Sequence, residues 1–99
     1  MTYAVRITKR ADSDLRRLYA FMYERDPIAA DRAREAIENS LKLLREFPFT
    51  CRKISSETPF LRELVIEFGR AGYVALFEIT GEAAVTVLAF RHQRERDYS

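Results

Sequence analysis

Val85-Thr86-Val87-Leu88-Ala89-Phe90-Arg91-His92-Gln93-Arg94-Glu95-Arg96-Asp97-Tyr98 is the stretch whose reading decides the fold. Its first half, taken as a strand over Ala84–Phe90, is apolar at nearly every position. A strand with one wetted face would alternate instead. A strand that is apolar on both faces belongs inside a sheet. The second half turns basic at once, with Arg91, Arg94 and Arg96 around the lone histidine, His92. A rigid strand end aims side chains well, so this tail is a candidate for gripping a macromolecule.

Working backward, Thr80-Gly81-Glu82 reads as a turn. Before it, Tyr73–Ile79 is a second strand apolar on both faces, at Val74, Ala75, Leu76 and Phe77. Gly69-Arg70-Ala71-Gly72 reads as a tight turn with a glycine at each end to allow positive φ. Leu61–Phe68 precedes it as another strand. Residues Pro48–Pro59, with Thr50, Ser55, Ser56 and Thr58, have no period and read as a loop. Nearer the start, Tyr3, Val5 and Ile7 alternate with Ala4 and Arg6, which predicts a short strand. Thr8 is placed to cap a helix, with Asp12 and Asp14 near its positive end. Leu15, Leu18, Tyr19 and Met22 form that helix's apolar stripe. Asp26-Pro27 stops it and starts another, whose stripe is Ala30, Ala33, Ile37, Leu41 and Leu44, ending at Phe47-Pro48.

The order β-α-α-β-β-β makes this an α+β chain, a helical hairpin packed on one face of a small, mainly antiparallel sheet. Two helices cover one face only. The second face is therefore expected to be an apolar patch that a partner segment covers. Leu88→Asp is expected to unfold the protein, and Arg91→Ala to weaken function with the fold intact.

The 99 residues form one domain, residues 1–99. Hydrophobic residues are 47% and charged residues 32% of the chain, a globular balance. The net charge of +2 is too small to argue for nucleic-acid binding by itself, although Arg far outnumbers Lys. A single cysteine, Cys51, fits a reducing compartment, and Arg52 and Lys53 beside it are expected to lower its pKa. No apolar run approaches the roughly 18 residues of a spanning helix, and no signal peptide is evident. A soluble, cytoplasmic protein without membrane contact is expected.

The chain has no Gly-rich phosphate loop, no metal-ligand spacing and no nucleophile elbow, so neither a metal nor a cofactor is expected. Chemistry, if present, sits at the carboxy-terminal end. His92 suits general acid–base work, and Arg62 and Arg91 suit the charge of a phosphorane-like transition state, a set able to cleave RNA by 2′-hydroxyl attack. The alternatives are a partner-binding tail of Arg91, His92, Arg94 and Tyr98, or a solvated tail whose arginines pair with acids such as Glu95. Arg62 and Glu63 are adjacent in a strand and face opposite sides, so only one can join a site on a given face.

Arg62-Glu-Leu-Val-Ile66, Gly72-Tyr-Val-Ala-Leu-Phe77, Val87-Leu-Ala-Phe-Arg-His-Gln-Arg-Glu95 and Tyr98 resemble the ParE branch of the RelE/ParE toxin superfamily. Ala11-x-x-Asp14-Leu15 and Asp26-Pro27 with its Ala-rich helix agree. The resemblance implies the toxin of a bacterial type II toxin–antitoxin pair. It implies a ParD-like antitoxin whose disordered segment folds over the toxin, and contact with operator DNA only through that antitoxin. ParE-like members inhibit DNA gyrase without being catalysts. RelE-like members cleave messenger RNA on the ribosome. Between residues 61 and 90 only Arg62 and Arg70 are basic, against Glu63, Glu67, Glu78 and Glu82. That balance favours gyrase over an RNA surface. The rivals are a ribosome-dependent endoribonuclease using Arg62, Arg91 and His92, and a non-toxic adaptor that binds the antitoxin in operon autoregulation.

Overall fold

The computed structural model describes residues 2–95. The expectations placed on Arg96 and Tyr98 lie outside those residues.

Caps set the two helices. Thr8 is extended, and its Oγ1 accepts the Ala11 N–H at 3.1 Å, which opens α1 (Lys9–Arg25). Asp26 serves both helices. Its N–H donates to the Met22 carbonyl and closes α1, while its Oδ1 accepts from the Ile28 and Ala29 amides and opens α2 (Pro27–Leu43). A connection of one residue folds the helices into an antiparallel hairpin. The Tyr19 hydroxyl donates across it to the Asp31 carboxylate at 2.8 Å, which raises the Tyr19 pKa.

Five strands form one mixed sheet: β1 (Ala4–Ile7), β2 (Arg52–Lys53), β3 (Leu61–Phe68), β4 (Ala71–Gly81) and β5 (Ala84–His92), in the order β1-β5-β4-β3-β2. The two strands that are apolar on both faces, β4 and β5, are interior, as their sequences require. β5 runs parallel to β1, with Val5 opposite Val85, and antiparallel to β4. Leu64, Ile66, Ala75, Phe77, Val85, Val87 and Phe90 meet Ala11, Leu18, Ala33, Ile37 and Leu44 in the core beneath the hairpin. Alanines at the contact let the helices approach closely, and Ala11 and Ala30 are fully buried.

The structure corrects the sequence reading at several places. First, the segment read as a loop contains a 3₁₀ turn, Pro48–Thr50, and the edge strand β2, which pairs Arg52 with Glu63 and Lys53 with Arg62. Second, only Gly69 has positive φ, at 63°. Gly72 lies inside β4, where a Cβ would collide with the Ile66 carbonyl, so its requirement is close approach. Third, the face turned away from the hairpin is not an apolar patch. The register places Glu63, Val65 and Glu67 of β3 on it with Val74, Leu76 and Glu78 of β4 and Thr86, Ala89 and Arg91 of β5. Of its large apolar side chains only Val65 is exposed, and Val74 is 2% accessible. The exposed apolar groups sit instead at the hairpin tip (Phe21, Tyr23, Ile28) and along residues 43–60 (Leu43, Phe47, Phe49, Ile54, Phe60).

The fourth correction concerns Leu88. Leu76 pairs with Ala89 but Phe77 pairs with Val87, so Leu88 is the extra residue of a β-bulge. It is half-buried and outside the core cluster, so Leu88→Asp is no longer expected to unfold the chain. On its other side β5 outruns β1, which ends at Ile7 opposite Val87, and Thr8 and Asp14 take up the backbone groups there. Thr8 donates from its N–H to the Val87 carbonyl at 3.0 Å and from Oγ1 to the Leu88 carbonyl at 3.1 Å. Asp14 Oδ2 accepts the Phe90 N–H at 3.0 Å.

Candidate functional site

β5 runs two residues further than the sequence suggested, through Arg91 and His92, and then turns over Gln93–Glu95. The turn is held from both faces of the sheet. On the outer face, Arg91 Nη1 donates to the carbonyls of His92, Gln93 and Glu95, the last at 2.7 Å. Arg91 Nη2 lies 3.7 Å from Glu63 Oε2, and both side chains are only 14% exposed. Glu63 also receives Arg52 of β2, Nη2 to Oε1 at 2.9 Å. On the helix side, Glu95 Oε1 accepts the His92 N–H at 3.2 Å and pairs with Arg17 of α1 at 3.4 Å.

His92 is fixed as well. Its ring meets Tyr73 edge-on, with centroids 5.6 Å apart. Its Nδ1 accepts the Arg94 N–H at 3.1 Å, which leaves Nε2 to carry the proton in the neutral ring. Gln93 N–H donates to the Gly72 carbonyl at 2.8 Å and closes the turn onto β4. Arg94 is exposed at the tip. Burial raises the pKa of the Tyr73 phenol, whose ring meets His92.

These contacts sort the predicted residues. Arg91, His92 and Arg94 share one turn, but Arg91 and His92 emerge on opposite faces, and Arg91 is committed to holding the backbone. The expectation that Arg91→Ala leaves the fold intact is therefore corrected: the substitution removes three carbonyl contacts and an ion-pair partner of Glu63. Arg62 does not join them. It lies on the helix side of the sheet, 7% exposed, with Nη1 donating to the Phe49 and Cys51 carbonyls and Nε to that of Pro59. Its guanidinium stacks over Phe49 and pins residues 48–60 to β3, so it is removed from the candidate nuclease set. Cys51 is corrected too: burial raises the pKa of its thiol, with Arg62 as a smaller opposing influence.

Sequence reasoning missed Asp14, Arg17 and Glu63 as parts of this site. Arg17 and Glu95 are separated by most of the chain, and only the docking of α1 beside β5 joins them. The alternation at Arg62-Glu63 did place Glu63 on the face opposite Arg62. Among the described residues no group of three His, Cys, Asp or Glu is placed to hold a metal ion, and no helix is long and apolar enough to cross a membrane.

A second feature is a groove of about 440 Å³ along the hairpin. Leu15, Leu18, Tyr19, Met22 and Ile37 line it, and Asp12, Arg16, Arg34 and Glu38 bring charges of both signs. The half-exposed residues of the predicted stripe of α1 thus face a groove as well as the core.

A family model described as the ParE toxin of type II toxin–antitoxin system, parDE, matches residues 5–97. Toxin RelE1 of Caulobacter vibrioides (strain CB 15) is 36% identical over 83 residues, covering 84% of this chain and 86% of that protein. Toxin RelE3 of the same strain is 33% identical over 93 residues, covering 94% and 97%. Among solved structures, a chain of the chromosomal ParDE TA system from P. aeruginosa has the same fold. It superposes with a TM-score of 0.74 at 24% identity, covering 92% of this chain and 96% of that one.

Proposed function

The chain belongs to the ParE toxin family of type II toxin–antitoxin systems, and on that footing we propose that it inhibits DNA gyrase in the cytoplasm and is neutralised by a ParD-like antitoxin. The observation that carries gyrase over the ribosome is the dispersal of the nuclease set. Arg62 is buried on the hairpin side and bound to three carbonyls, while Arg91 is held on the opposite face beside Glu63. Acid–base cleavage of RNA needs its groups converging on one phosphate. The outer face also has no excess of positive charge, with Glu63, Glu67 and Glu78 against Arg6, Arg52 and Arg91. An RNA-gripping surface would be richer in base. In this reading the exposed turn, with His92 and Arg94, contacts gyrase. Tyr98 is assigned to the same contact on sequence alone. The apolar groove of the hairpin suits a folding-on-binding antitoxin segment.

The test is brief expression in a bacterium without the antitoxin, with DNA and protein synthesis followed separately. Early loss of DNA synthesis with a DNA-damage response is expected, together with inhibition of purified gyrase in a supercoiling assay. Early translational arrest with cut transcripts would overturn the proposal in favour of a ribosome-dependent endoribonuclease, the activity associated with the RelE branch. Absence of any growth effect would leave an antitoxin-binding adaptor.

A further inference from the structure

We infer that Glu63 is a positioning residue of the target-binding turn: it acts through Arg91 to hold residues 92–95 in the conformation that presents Arg94. The inference rests on the reading that this turn contacts gyrase, and deepens it by naming the group that shapes the contact.

The argument starts from burial. An arginine side chain that is only 14% exposed needs a counter-charge, and Glu63, equally enclosed, stands 3.7 Å from it. With that carboxylate present, Arg91 stays under the turn and one nitrogen, Nη1, reaches the carbonyls of His92, Gln93 and Glu95. Those are the carbonyls that a tight turn at a strand end leaves outside the ladder. Neutralising Glu63 removes this ion pair and weakens the hold of Arg91 on the three carbonyls. Arg52, drawn to the same carboxylate at 2.9 Å, fixes the Glu63 side chain from β2. The exposed Arg94 is thus aimed by a relay through three strands, Arg52 of β2, Glu63 of β3 and Arg91 of β5.

The test uses the purified full chain with Glu63→Gln, Arg94→Ala and the double variant. Three measurements are made: inhibition of gyrase supercoiling, affinity for the cognate antitoxin, and amide exchange by NMR. Glu63→Gln is expected to speed exchange at Arg94 and Glu95 about tenfold while leaving Ile66 and Phe77 protected, since only the turn is loosened. It should weaken gyrase inhibition about tenfold and leave antitoxin affinity unchanged, and the double variant should be little worse than either single one, because the two residues act through one contact. Unchanged exchange in the turn would overturn the positioning role. So would losses that multiply in the double variant, which would make the residues independent. If Glu63→Gln loosens the turn and Arg94→Ala alone weakens inhibition, the turn is shaped by Glu63 to no functional effect, and the inference fails while the target-binding reading stands. If neither loosening the turn nor removing Arg94 changes inhibition, the target-binding reading itself fails.

Discussion

Replacing Asp14 by alanine tests the claim that α1 takes the place of a strand beside the end of β5. The perturbation removes the acceptor of the Phe90 N–H, on a residue that is 1% exposed. No strand offers another acceptor on that side, since β1 ends at Ile7, opposite Val87. A hydrogen bond to a charged partner contributes about 1.5–3 kcal/mol, and a buried donor left without an acceptor costs a similar amount. The Arg10–Asp14 ion pair adds little, because the Arg10 side chain is 53% exposed and screened. The expected loss is therefore about 2 kcal/mol, or about 8–16 °C in melting temperature for a chain of this size. Asp14→Asn keeps an oxygen at the same place and gives up only the charge, so about half the loss is expected. Urea and thermal unfolding followed by circular dichroism give both numbers, and amide exchange at Phe90 localises the cause. An Asp14→Ala protein within about 0.5 kcal/mol of the parent, the range of ordinary surface changes, would refute the reasoning. So would an asparagine variant as unstable as the alanine one.

Three further outcomes are expected. Gly72→Ala should cost about 3 kcal/mol or more by driving a Cβ into the Ile66 backbone, whereas Gly81→Ala, with open space around it, should be close to neutral; paired urea melts check the contrast. Arg62→Met should destabilise by about 2–4 kcal/mol and expose residues 48–60 to limited proteolysis, since three carbonyls lose their donors. Gyrase inhibition that survives in folded Arg62→Met would agree with a structural arginine, and RNA cleavage abolished by it would not. Burial holds the Cys51 thiol pKa above its ordinary value, so alkylation at about pH 8 should be slower in the native chain than in the unfolded one. By the same sign, stability should fall as pH rises past about 8.5, because the unfolded thiol ionises first.

The elements readable in the sequence were those whose cause is local. Thr8 and Asp26 cap because their own side chains reach the next turn, and Asp26-Pro27 joins a capping side chain to a residue suited to the first helical position. β4 and β5 announce interior positions through runs of apolar residues. β2 could not be read, because a two-residue strand has no period and Arg52-Lys53 has no apolar member. Gly72 was misassigned because a glycine demanded by a neighbouring strand looks the same in sequence as one demanded by a turn. The site was legible in part. Arg91, His92 and Arg94 stood out as a basic cluster at a strand end. What each one does depended on residues far away in the chain: Glu63 for Arg91, Tyr73 for His92, and Arg17 for the glutamate that closes the turn. The surroundings of Arg62 were hidden for the same reason, since its partners are backbone carbonyls that no side-chain pattern reveals.

The parallel pairing of β1 with β5 bears on how the protein comes into being. Of the five described strands β1 leaves the ribosome first and β5 last, yet the two are neighbours, with Ala4 opposite Ala84 and Ile7 opposite Val87. Until β5 emerges, β1 has no strand to pair with and β4 lacks one of its two neighbours. Contacts so distant in sequence slow folding, because the whole intervening chain must be gathered before they are rewarded. A chain stalled or cut before residue 84 holds a capped helical hairpin and a β3–β4 ribbon, but not the strand whose end carries Arg91 and His92. Under the proposed function, synthesis of the target-binding turn and completion of the sheet thus coincide, and a truncated product is expected to be inactive as well as unfolded.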